Sequence, residues 1–130
     1  GYFSQWVSVG SNTNSSYPTL AVGSGNFMGS SASLAVGSGN AIMGAHTGAF
    51  GEGLTVDYYH SVVIGSYNEA KADQVIPNAP TVLVLSSGTG WPNDPPEMKN
   101  KNVMEVYKDG SVIINDAQGD ISMGAYGTGN

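Results

Sequence analysis

The chain has no cysteine, and only four of its 130 residues are lysine or arginine. Without thiols there are no disulfide staples and no thiolate chemistry, so packing and hydrogen bonds alone must hold the fold. Four basic residues against ten acidic ones, for a net charge of -6, leave no patch that could neutralise phosphates. A nucleic-acid partner is therefore not expected, and the acidic balance mainly serves solubility. No apolar run approaches the ~20 residues of a membrane-spanning helix, and no direct membrane insertion is expected. There is also no sustained a/d heptad pattern and no segment with convincing helical periodicity. The length suits one compact unit rather than several. A start at Gly1, without Met or a signal-like segment, is what a mature product or an excised fragment would show.

What the chain does have is glycine, nineteen in all, and a repeat. Leu-Ala-Val-Gly-Ser-Gly-Asn occupies residues 20–26 and recurs unchanged at residues 34–40, an offset of 14. Anchored on its first glycine, the series Gly10, Gly23, Gly37, Gly51 and Gly65 is spaced by 13, 14, 14 and 14 residues. Fourteen residues are too few for a helical-hairpin repeat, but they suit one coil of two short strands and two tight corners. Glycine supplies the corners because it reaches positive φ without a Cβ penalty. A second apolar stretch follows in most units, as in Phe27-Met28, Ala41-Ile42-Met43 and Leu54-Thr55-Val56. With like strands ~4.8 Å apart, five turns would form a rod of roughly 24 Å.

Each glycine follows a short cluster whose first and third residues share one strand face. The large face reads Val7/Val9, Leu20/Val22, Leu34/Val36, Phe50 and Val62/Ile64, and it is expected to fill the core. The other face is mostly small, with Ala21, Ala35 and Ala49, and is expected to let neighbouring chains approach closely. A thin roll buries little apolar area against an ordering cost of about 1 to 2 kcal/mol per residue, which favours a homotrimer.

The pattern changes after residue 73. Residues 74–80 hold two prolines and read as a connector. Residues 81–85, Thr-Val-Leu-Val-Leu, form a strand signal, and a long proline-bearing loop follows. Two β-prone runs, residues 102–107 and 111–114, then flank Lys108-Asp109-Gly110, a good hairpin signal. The organisation is thus a β-roll over residues 1–73 and a β-rich connector and hairpin region over residues 74–130, all β.

The spaced Ala-Val-Gly units resemble the head repeats of trimeric autotransporter adhesins. That resemblance implies a left-handed parallel β-roll, three of which pack into an intertwined homotrimer. Residues 81–90 with residues 102–114 resemble a segment of phage tail fibres, in which a strand precedes an Asp-Gly-x-Val hairpin. Together the resemblances cover residues 6 to 114. No neck motif or membrane-anchor strands accompany them. They imply a non-enzymatic structural or adhesive fibre domain that is extracellular, on a cell surface or on a virion. An extracellular filament subunit that polymerises end to end is the alternative.

Other chemistries fit less well. Gly23-Ser24-Gly25 with Gly29 departs from the dinucleotide spacing, and no helix follows. The Walker lysine and the aspartates of calcium-binding nonapeptides are missing. Thr13, Thr19, Thr47 and Thr55 make no flat ladder of the kind an ice-binding face needs. His46 and His60 fall 14 residues apart, at one position on successive turns, where they could stack and share a metal, but a plain structural or surface histidine is the preferred reading. No catalytic residue, metal or cofactor is expected. Tyr58, Tyr59 and Trp91 are the candidate contacts for a host glycan or extracellular-matrix protein; the competing reading has these rings plug gaps between chains. Tyr17, beside Pro18, reads as a corner filler.

Overall fold

The computed structural model describes residues 6–14, 18–69 and 81–114. The connector at residues 74–80, the tail beyond residue 114 and Tyr17 lie outside them. The described chain is nearly all β, a parallel β-solenoid with a 14-residue repeat and about four turns. One wall is built from β1 (Trp6–Asn14), β2 (Thr19–Met28), β3 (Ser33–Ser38), β5 (Gly48–Glu52) and β7 (Val62–Ser66), all parallel. Five rungs enclose four turns, so the five glycines mark rungs rather than turns. The second wall comprises the far ends of β1 and β2 together with β4 (Ala41–Ile42) and β6 (Thr55–Val56).

The first wall does not stop at residue 69. β8 (Thr81–Ser87) adds to β7 as a further parallel rung, and β9 (Asn102–Tyr107) and β10 (Val112–Ile114) continue the sheet antiparallel. The expected hairpin is present: Gly110 adopts φ 91° and its N–H donates to the Tyr107 carbonyl at 2.9 Å. The loop between β8 and β9 contains a single four-residue turn of helix, α1 (Pro96–Lys99), which no periodicity could have announced.

The expected 13-residue first step has a local cause. Gly10 pairs with Gly23, yet Thr13 pairs with Phe27, so the register slips between Ser11 and Thr13. The first corner, Gly10-Ser11-Asn12, is one residue shorter than Gly23-Ser24-Gly25-Asn26.

The assignment of faces is the reverse of that expected. Ala21, Ala35 and Ala49 are fully buried, and Val63 and Val84 nearly so. Val7, Val9, Leu20, Phe50 and Ile64 are 38–57% exposed. The reason is steric. The second wall turns Met28, Ile42 and Val56 inward, and Leu54 is buried with them. A coil of 14 residues leaves a narrow interior, so the opposing strands can offer little more than a methyl group. Large residues on both inner faces would overfill it.

Polar ladders complete the interior. Asn26 and Asn40 are buried, and each side-chain amide donates to the asparagine one rung earlier, at 2.8 Å to Asn12 and 2.9 Å to Asn26. Each also donates to a carbonyl of the next rung, Gly37 or Gly51, at 3.0 Å. A second buried column, Thr19, Ser33, Thr47 and Ser61, carries hydroxyls. Two of the threonines examined for a surface ladder therefore line the inside.

Candidate functional site

The five repeat glycines hold the rungs close. Gly10, Gly23, Gly37, Gly51 and Gly65 adopt φ between 100° and 147°. A Cβ on any of them would come within 1.8–2.0 Å of a carbonyl oxygen on the next rung. This stack fixes the registry of the residues beside it.

The consequence is a continuous apolar stripe on the outer face of the first wall. Val9, Val22, Val36, Phe50, Ile64, Leu85, Met104 and Ile114 lie in cross-strand register across all eight strands. Beside them run Val7, Leu20, Leu34, Gly48, Val62, Leu83, Val106 and Val112. None of the fifteen side chains is buried. The one gap, at Gly48, is overlain by the Phe50 ring, which approaches to 3.2 Å of where a Cβ would stand. Seven inter-strand spacings give the stripe a length of roughly 34 Å. Neither column contains an ionisable or hydroxyl side chain. The second wall differs: its outward column is Thr13, Phe27, Ala41 and Thr55. Soluble monomers rarely leave so long a contiguous apolar patch in water, whereas scattered exposed hydrophobes are ordinary.

Val22, Val36, Phe50 and Ile64, expected to be interior, are thus members of this outer stripe. The other expected contacts lie elsewhere. Tyr58 and Tyr59 occupy the corner before β7, with Tyr58 half-buried and Tyr59 67% exposed. Trp91 stands in the loop after β8, 68% exposed. That loop is internally tied: the Thr89 hydroxyl donates to Asp94 Oδ2 at 2.5 Å and accepts the Trp91 N–H at 3.3 Å. A second anchor is Tyr67, at φ 40°, whose ring passes where side chains on Gly53 and Gly90 would otherwise sit. Its hydroxyl donates to Glu52 Oε1 at 3.1 Å, and that bond holds the phenol above its usual pKa.

At the C-terminal end of the interior, the column of Ala21, Ala35, Ala49, Val63 and Val84 ends in Glu105, which is fully buried. The Tyr107 hydroxyl and the Asn102 amide both donate to its carboxylate. Burial first, and then this bond, push the Tyr107 phenol well above its ordinary value. A small cleft beside it is lined by Asp57, Tyr58, Asn68, Glu69 and Asn102. Among the described residues, no group of three or more His, Cys, Asp or Glu side chains could hold a metal ion. No helix among them is long and apolar enough to cross a membrane.

Comparison with protein families, with curated proteins and with solved structures finds no match. The site therefore has to be interpreted from its own chemistry. The stripe offers dry, rung-spaced contact area with no proton donor, base or nucleophile in it. Sequence reasoning grouped the stripe residues from Val7 to Ile64 on one face but placed that face inside, and made no assignment for those on β8, β9 and β10. It overlooked the asparagine ladder, although Asn is the seventh letter of the identical repeat.

Proposed function

We propose that this chain is a non-enzymatic structural and adhesive domain of a homotrimeric surface fibre, such as a bacterial adhesin head or a phage tail-fibre shaft. The apolar stripe is the observation that carries this reading. Its occupant must match a ladder of eight rungs at ~4.8 Å spacing, and the partner with that periodicity is a second copy of the same chain. Three copies around a common axis would each turn one apolar wall to the centre and the more polar wall to water. This arrangement uses the contrast between the two walls. Such a rod works outside the cell or on a virion. Trp91 and Tyr59 are its candidate contacts for a glycan or matrix protein, and no cofactor takes part.

A second reading has support from the ends of the rod. The outer edges of β1 and β10 pair with no other strand among the described residues. Such edges are templates for strand addition and would allow end-to-end filaments.

Sedimentation equilibrium tests the first reading. The wild type is expected at three times the 13.3 kDa chain mass. The double variant Val36→Glu, Ile64→Glu is expected to be a folded monomer by circular dichroism. A monomeric wild type would overturn the proposal, and long periodic filaments in electron micrographs would favour the second reading.

A further inference from the structure

His46 and His60 occupy the same corner of successive turns, and both have left-handed backbone, φ 58° and 59°. The corner recurs one rung earlier at Ala32, with φ 50°. Each corner is clamped by its own amide: the His46 N–H donates to the Ser31 carbonyl at 3.1 Å, and the His60 N–H to the Ala45 carbonyl at 3.2 Å. The two side chains therefore leave equivalent, fixed points about one rung apart, both on the exposed surface. Their ring centroids are 5.3 Å apart and tilted by 33°. Two imidazoles that share an ion through nitrogens ~2.1 Å from it have centroids about 5 Å apart. The observed separation already matches, and the exposed rings need only swing edge-on.

We propose that His46 and His60 form a two-histidine site for a divalent first-row transition ion, a clip across successive turns of the solenoid. Imidazole nitrogen suits copper, nickel and zinc, with Cu²⁺ bound most tightly in the general order of affinities. No third His, Cys, Asp or Glu joins the pair among the described residues, so water completes the coordination. An ion that binds this native geometry but not the unfolded chain stabilises the fold by mass action. The site stands apart from the stripe and does not depend on the oligomeric reading.

The test is a titration of the full chain with Cu²⁺ alone, followed by calorimetry and by electron paramagnetic resonance. One ion per chain with two nitrogen ligands is expected. His46→Ala and His60→Ala should each weaken binding by at least about tenfold, since loss of even an outer-shell partner costs about 10–100-fold, and leave one nitrogen. The decisive variant combines His60→Ala with Ala32→His. It moves the pair one rung toward the N-terminal end and should restore the two-nitrogen signal. Equal binding by all variants would mean adventitious copper and would overturn the proposal, as would failure of the moved pair in a chain with unchanged circular dichroism.

Discussion

At the scale of single residues, the interior is held by asparagines whose side chains bridge successive rungs. Asn40 donates to Asn26 Oδ1 and to the Gly51 carbonyl, and its own Oδ1 accepts the Leu54 N–H at 3.0 Å. Truncation takes these bonds from the Leu54 N–H and the Gly51 carbonyl, while Asn26 Oδ1 keeps only the Asn40 backbone N–H at 3.2 Å, and each loss carries a desolvation penalty. Asn40→Ala is expected to reduce stability by about 3 kcal/mol in urea unfolding. Asn12, on the partly exposed first rung, should matter less, and equal effects would show that the ladder is not what stabilises the turns. Tyr107 provides a pH counterpart. Its folded-state pKa is raised, so the neutral phenol is the form the fold favours. That contribution is fully present below pH ~10, the unfolded tyrosine value, and is lost as pH rises from there toward the folded value. Stability should fall above pH ~10 by up to about 1.4 kcal/mol per unit from this group. Chemical denaturation at pH 8 to 11 should show a shallower fall in Tyr107→Phe.

At the scale of elements, each first-wall strand presents a small face and a large one, and the sequence pattern alone could not say which faces inward. Alternation names two faces of a strand but not the space available on either side. The usual assumption that large residues face the core fails here because the opposite wall already supplies Met28, Ile42 and Val56. The 14-residue period, the glycine corners and the Asp109-Gly110 hairpin were readable, since each depends on local backbone chemistry. The stripe was not, because it emerges only when β8, β9 and β10 join the same sheet. A paired substitution separates the faces. Ala35→Leu overfills a fully buried site and should cost about 1 to 3 kcal/mol, or more if the walls cannot part. Val36→Ser, one residue away, should leave the fold of the isolated chain nearly unchanged and weaken self-association. The opposite result in thermal melts would restore the original assignment of faces.

At the scale of the whole molecule, a solenoid has nearest-neighbour energetics, in which each rung contacts only those beside it. The identical repeats make this directly testable, because removing residues 27–40 joins Asn26 to Ala41 and recreates the same seven-residue unit ahead of Ala41-Ile42-Met43. Leu20, Ala21, Val22 and Gly23 then meet Gly48, Ala49, Phe50 and Gly51, as Leu34, Ala35, Val36 and Gly37 do now. The asparagine ladder continues with Asn26 in the place of Asn40. The stripe loses one rung, roughly 4.8 Å, without a break. Such a chain should unfold in one cooperative transition at lower temperature, having lost a single rung and its interface. Removing only residues 27–33 would put Leu34 and Ala35 where Phe27 and Met28 now stand, leaving an alanine in the buried place of Met28 and carrying Gly37 and Asn40 out of line with Gly23 and Asn26, and should abolish folding. Circular dichroism melts of the two deletions decide the matter: comparable damage from both would mean that the repeat is not the structural unit, whereas survival of the longer deletion alone identifies the 14-residue coil as the piece from which the rod is built.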